Sequence, residues 1–236
     1  TFSKEGLGSM TRLFIIYAFV AMFWALFDQT GSAWVLQAEK MDRDFLGFTW
    51  LPSQIQAINP IMIMVLIPVF NGIKTLRWPG VYALLNRVWR LTPLRKIGIG
   101  FFLTVPAFLL PAWIEVQIEA GASVNIAWQL FAYAIMTTAE VFVSITCLEF
   151  SYTQAPKKMK SLIMALFLMS VSIGNLFVSA VNFFIQNDDG SSKLMGADYY
   201  LFFSACMLVT AIAFIPVAMR YREKTYIQDE ESPNEA

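Results

Sequence analysis

AWQLFAYAIMTTAEVFVSITCLEF, residues 127–150, has Glu140 and Glu149 as its only charges and runs straight into SYTQAPKKMK, residues 151–160, with its three lysines. A helix rises 1.5 Å per residue, so about 20 apolar residues cross a hydrocarbon core about 30 Å thick. The abrupt change from apolar to basic marks one face of a bilayer. Five more stretches read the same way: 13–37, 55–70, 97–114, 161–185 and 199–219. The composition agrees. Of 236 residues 57% are hydrophobic and 14% charged, where soluble domains hold about 45–50% and about 25%; the mean hydropathy is +0.57. The expected fold is an all-α membrane protein with six transmembrane helices in residues 13–219, a cytoplasmic leading segment 1–12 and a cytoplasmic tail 220–236. Within that tail, 225–236 (TYIQDEESPNEA) is polar and acidic and is expected to be disordered. The chain begins at Thr1 rather than Met, which suggests a fragment or a processed form.

Seventeen basic and seventeen acidic residues cancel overall but not locally. Lys4 and Arg12 precede the first span, and Lys74, Arg77, Arg87, Arg90, Arg95 and Lys96 follow the second. Lys157, Lys158 and Lys160 follow the fourth, and Arg220, Arg222 and Lys224 follow the sixth. All of these fall on one face. Only Lys40, Arg43 and Lys193 fall on the other, among Glu39, Asp42, Asp44, Glu115, Glu119, Asp188, Asp189 and Asp198. The positive-inside rule puts the basic face and both termini in the cytoplasm. A zero net charge gives no reason to expect nucleic acid as a partner. Without histidine, neither a Ser-His-Asp triad nor a His-ligated zinc can be built. Cys147 and Cys206 both lie in apolar runs, read as buried thiols, and form no CxxC metal site.

Smaller features fit the same scheme. Pro60 and Pro68 interrupt the second span, and Pro106 and Pro111 the third; neighbours must then satisfy the freed carbonyls. Residues 80–91 (GVYALLNRVWRL) read as an interfacial helix, an extension of the second span, or a basic loop. Ser170 and Gly174, four apart, give a small-residue face for close helix packing.

Asp28, Glu140 and Glu149 are the acids inside spans. A mid-bilayer charge costs about 2.5–3.5 kcal/mol on insertion scales, so each needs a reason. Asp28 and Glu140 fall near the midplane, where an acid marks a proton or substrate path; a satisfied polar packing pair is the alternative. Glu149 lies near the basic face, within reach of headgroups or of Lys157 and Lys158, and reads as an anchor. Trp24 and Asp28 are four apart, as are Glu140 and Ser144, so each pair shares a helix face. Gly31 opens a backbone gap one turn beyond Asp28. Nine residues, about 900° of ideal helix, turn Glu140 and Glu149 to opposite sides. Asn59, directly before Pro60, either lines a cavity or patches the carbonyl ladder. No basic residue lies within a span, so Asp28 and Glu140 have no cationic partner in this chain. Desolvation favours the protonated carboxyl and a nearby cation the ionised one, so such a group can couple a proton gradient to a conformational change. The absent cation points to absent protein: six spans with both ends on one face have the form of half a twelve-span transporter.

FWALFDQTGSAWVLQA (23–38), QAINPIMIMVLIPVF (56–70) and AEVFVSITCLEFSYTQAPKKMKS (139–161) resemble the proton-dependent oligopeptide transporters of the major facilitator superfamily. The likeness runs along essentially the whole chain but corresponds only to the C-terminal six-helix bundle, helices seven to twelve. It implies symport of di- and tripeptides by alternating access, with protons as the coupling ion, no cofactor and no metal. By position, it implies that Glu140 couples protons and receives the peptide amino end, with Ser144 beside it. It also implies that Asp28 couples protons and gates the outer face by pairing with a basic residue of the N-terminal half. Trp24, Asn59 and Phe167 would line the substrate cavity, and Leu148 and Met164 would close the inner gate. Phe167 stands where many peptide-transporting members have tryptophan, and Ala33 where some animal members have arginine. The implied partners are the peptide, the lipid bilayer and the N-terminal six-helix half.

The residues alone agree on one point: a zwitterionic peptide needs an anion for its amino end, and this half offers only anions. The short outer loops point to a bacterial inner membrane, because animal members carry a large extracellular domain between helices nine and ten. Other readings are a same-fold symporter of a non-peptide solute, a membrane scaffold that does not transport, and an intramembrane aspartyl enzyme. The last is disfavoured because GxGD is absent and Glu140 and Glu149 face apart, so the chain is not expected to be an enzyme.

Overall fold

The computed structural model describes residues 4–154, 159–187 and 192–221, the side chains of 4–7 and 9 aside. Among the described residues six helical segments are long and apolar enough to cross a membrane: Met10–Glu39, Pro52–Asn71, Pro93–Glu119, Ala127–Thr153, Lys160–Ile185 and Ala197–Arg220. Each contains one of the spans expected from the sequence. Three are continuous helices: α5 (Pro93–Glu119), α8 (Lys160–Ile185) and α9 (Ala197–Arg220). The other three are interrupted. Span one is α1 (Lys4–Phe27), a 3-10 turn (Asp28–Gly31) and α2 (Ala33–Glu39); span two is a 3-10 stretch (Pro52–Ala57) and α3 (Ile58–Asn71). Span four is α6 (Ala127–Glu140), a π turn (Val141–Ile145) and α7 (Thr146–Thr153).

The expected helix at 80–91 is a separate one, α4 (Val81–Val88), set off from α3 by Gly72 and Gly80, both at positive φ. It is not an extension of span two. One departure from all-α is a small antiparallel hairpin, β1 (Asp44–Phe45) with β2 (Phe48–Thr49), turning on Leu46 and Gly47 at positive φ. The 225–236 tail, Lys157 and Lys158 lie outside the described residues.

Contrary to expectation, none of the four span prolines breaks its helix, and Pro68 lies inside the continuous α3. Pro93 opens α5 at a position where its missing N–H costs nothing, and the Thr92 side chain accepts from the Arg95 N–H. Pro106 and Pro111 sit inside α5 without breaking it, and the Pro111 carbonyl accepts a bond from Gln37 Nε2 at 2.9 Å. Pro60 does not interrupt span two. It falls in the first turn of α3, where a helix leaves its N–H groups without intrahelical partners.

The bundle packs mainly through α5 against α9 and α6, and through α1 against α8. Trp34, Phe101, Phe108, Tyr133, Phe203 and Phe214 lie fully buried in one core. The Ser170–Gly174 face is a packing face: both residues are buried, and a side chain at Gly174 would collide with the backbone of Ala21 and Ala25. Cys147 is buried, whereas Cys206 is only half-buried. At the end opposite α4, Asp42 N–H donates to Val124 C=O at 2.9 Å and Asp42 C=O accepts from Ile126 N–H at 2.8 Å, joining two loops. Hydrogen bonds from the Asp44 N–H and the Asn125 amide hold the Asp42 carboxyl below the usual aspartate range. Outside the core, Met64, Leu176, Phe183 and Met219 are each at least 67% exposed, a surface suited to lipid rather than water.

Replacing Gly174 with valine should push α8 away from α1 and cost about 1–3 kcal/mol. Thermal unfolding of the detergent-solubilised protein should show a lowered midpoint. Gly8→Ala, inside α1 with nothing within 4 Å of an added Cβ, should not lower the midpoint.

Candidate substrate and proton site

Glu140 is the last residue of α6, where the hydrogen-bond ladder widens into the π turn. Single π turns inside α-helices concentrate at functional sites. Gly100 of α5 makes room for this one, since a side chain there would strike Val143 and the Ala139 backbone. From α3, Asn59 Nδ2 donates to Glu140 Oε2 at 2.8 Å and to Thr137 Oγ1 at 3.1 Å. Asn59 therefore does not patch a carbonyl ladder; its amide holds the Glu140 carboxylate.

Asp28 opens the 3-10 turn of span one, and Asn175 Nδ2 of α8 donates to Asp28 Oδ2 at 2.7 Å. The Asp28 and Glu140 carboxylates are close enough to interact electrostatically. Among the described residues neither has a lysine or arginine within ion-pair distance, whereas Lys40 pairs with Glu115 at 3.4 Å. Each mid-span acid is thus held by a neutral amide and by no cation of the described chain. Gly31, the last residue of the turn, faces the Gln56 side chain, where a Cβ would lie 2.8 Å from Nε2.

Trp24 sits one turn before Asp28, edge-on to Phe27 at 5.4 Å and to Phe167 at 6.1 Å between ring centroids. Phe167 is buried and also meets Tyr17 edge-on at 6.1 Å. Ser144 is half-buried within the π turn and makes no hydrogen bond to Glu140. Leu148 of α7 and Met164 of α8 pack at the rim of the main core.

Two expectations about acids are corrected. The π turn takes up about one extra residue, which removes about 100° from the offset between Glu140 and Glu149 and ends their opposite-face relation. Glu149 lies within electrostatic range of Lys96 and Tyr82; the Lys96 ammonium sits 3.8 Å over the Tyr82 ring. Burial and this carboxylate push the Tyr82 phenol up to about 12. Glu115 is not a loop acid, because α5 continues to Glu119 and leaves Glu115 only 3% exposed.

Around Glu115 the chain builds a buried polar cluster that sequence reasoning missed. Gln37 Nε2 donates to Glu115 Oε1 at 3.2 Å, and Lys40 Nζ donates to Oε2 at 3.4 Å. Gln129 Nε2 donates to Gln37 Oε1 at 3.3 Å and to Trp34 C=O at 2.8 Å. The cluster fastens α2 to α5 and α6. Thr137 and Asn175 were missed as well. Asn175 carried a usable signal, an amide beside Gly174 near the middle of a largely apolar span, where a polar group needs a partner.

Comparison with known proteins places this geometry. The family model described as "PTR2: POT family" matches residues 3–197. The chain belongs to the POT family. Among solved structures, an auto-inhibited POT family peptide transporter is 36% identical, with a TM-score of 0.84 over 96% of this chain and 44% of that one. The POT family transporter PepTSo is 35% identical, with a TM-score of 0.81 over 91% of this chain and 42% of that one. Peptide transporter 3 of Caenorhabditis elegans is 41% identical over 105 residues, 44% of this chain and 14% of the relative. Solute carrier family 15 member 2 of Mus musculus is 33% identical over 139 residues, 58% and 18% of the two chains. This POT chain thus spans less than half of those structures, as six membrane helices of a major facilitator bundle. These curated relatives are animal proteins and lend no support to the bacterial membrane suggested by its short loops.

Breaking the POT bundle's buried cluster from one side should be worse than dissolving it from both. Lys40→Met leaves the Glu115 carboxylate without its cation and should destabilise by about 1–3 kcal/mol. Adding Glu115→Gln, which keeps an acceptor for Gln37 and removes the charge, should recover most of that loss in a thermal-unfolding double-mutant cycle. Additive losses would show that the cluster is not a unit.

Proposed function

We propose that this chain is the C-terminal half of a proton-coupled symporter of di- and tripeptides that works by alternating access. The observation that supports it is the pair of mid-span carboxylates, Glu140 and Asp28, each held by one neutral amide and by no cation of the described residues. A carboxylate closed off for structure alone spends its lone pairs on fixed donors. Here Asn59 occupies Glu140 Oε2, and the other oxygen remains to carry a proton or to accept the ammonium of a peptide.

In this reading, a cation of the N-terminal half stabilises the ionised acid when it is brought alongside. Its withdrawal favours proton uptake. Proton binding at one face and release at the other then follow from which conformation brings the cation close. Glu140 receives the peptide amino end, and the missing half supplies a cation for the carboxylate. Trp24 and Phe167 form an aromatic wall beside Asp28, with Ser144 on the side of Glu140. Asp28 opens the 3-10 turn between α1 and α2, so pairing it with an outside cation pulls on the joint of an interrupted helix and closes the outer gate. Leu148 and Met164 close the inner gate through apolar contact, which excludes water without competing for the proton. The basic face is cytoplasmic, with both termini on that side.

Glu140→Gln in the complete protein, reconstituted into liposomes, should lower gradient-driven dipeptide accumulation at least tenfold and leave counterflow exchange intact. Full accumulation by that variant would remove Glu140 from the proton path. Uptake by the unmutated protein that ignores an imposed pH gradient would sink symport, and transport of another solute in place of dipeptides would favour the non-peptide reading. Asp28→Asn should alter the rate of exchange more than peptide affinity; unchanged kinetics would count against its role at the gate.

A further inference from the structure

Away from the acids, the end of α4, the first turns of α5 and the last turns of α9 enclose a groove of about 810 Å³. Its mouth is basic: Arg90 and Arg95 both line it, and no carboxylate does. Among the described residues neither arginine has an acid within ion-pair distance. The corner is built rather than loose. Arg95 Nη1 donates to Arg90 C=O at 2.7 Å, its guanidinium lies 4.8 Å from the centre of the Trp89 ring, and its N–H caps onto Thr92 Oγ1. One bond to a carbonyl leaves most of the five N–H donors of Arg95 unused.

Beyond this corner the groove turns apolar and runs into the span. Phe102, Phe214 and Met219 line it together with Gly98, where an added Cβ would meet only the Phe214 ring, at 3.7 Å. Phe102 is 41% and Met219 81% exposed, on helices long and apolar enough to cross a membrane. A guanidinium pair at the membrane face, an interfacial tryptophan and an apolar channel below it fit one amphiphile with an anionic head.

We propose that this groove binds one anionic phospholipid, its phosphate held by Arg90 and Arg95 and an acyl chain laid over Phe102 and Met219. A zwitterionic lipid offers the same chain without the net charge, so the site distinguishes headgroups by charge. The proposal is independent of peptide transport and of Glu140 and Asp28.

The test is native mass spectrometry of the complete protein in detergent, titrated with phosphatidylglycerol and with phosphatidylcholine. The unmutated protein should retain one phosphatidylglycerol in preference to phosphatidylcholine. Arg90→Gln with Arg95→Gln should weaken that retention about tenfold, while Arg90→Lys with Arg95→Lys should keep most of it. Arg87→Gln, on the same basic segment but not lining the groove, should change nothing; thermal unfolding checks that every variant is folded. No preference between the lipids, retention that survives the double glutamine variant, or an equal loss on Arg87→Gln would overturn the proposal. So would phosphatidylglycerol binding that emerges only after deletion of residues 228–236, since the acidic C-terminal segment would then be the occupant.

Discussion

Hydrocarbon offers an unpaired backbone group nothing to bond, so a membrane helix departs from regularity only where protein can satisfy what it frees. In this bundle the departures coincide with the polar residues. Asp28 opens a 3-10 turn, Asn59 follows the change from 3-10 to α, and Glu140 precedes a π turn. The three continuous helices carry no acid at their centres, although α8 holds Asn175 near its middle without a break. Irregular backbone and mid-span polarity are thus two aspects of one arrangement. Each places a polar group beside a neighbouring helix: Asn59 of α3 meets Glu140 of α6, and Asn175 of α8 meets Asp28.

The continuous helices hold that arrangement still. Helix α5 makes the most extensive contacts, with α9 and α6, and Gly100 of α5 leaves the space that the π turn fills. Gly174 of α8 does the same for α1, bringing Asn175 beside Asp28. The Gln37–Glu115–Gln129 cluster fixes α2, the second half of span one, to α5 and α6, so the 3-10 turn lies between two anchored pieces of helix.

The membrane spans were legible because hydropathy is local: each window of about 20 residues reports its own burial without knowledge of the others. The resemblance carried by FDQTGSAW and EFSYTQAP was legible for a similar reason, and the family match over residues 3–197 agrees with it. Angular relations were less secure. The separation of Glu140 from Glu149 assumed an ideal helix, and a single π turn overturned it. Glu115 was misplaced because α5 carries on five residues past its last strongly apolar stretch and buries a carboxylate that the composition assigned to water.

What the sequence determined by itself is the number of spans, the bias of basic residues to one face and the presence of two acids near the midplane without a cation in any span. Those follow from composition over short windows. What only the tertiary structure decided is who holds the acids. Asn59 reaches Glu140 across 81 residues of chain, and Asn175 reaches Asp28 across 147. No local periodicity encodes a partner at that distance. It is set by the helices that small residues let approach, and by the need of every polar group inside a membrane to find a donor or acceptor within the protein.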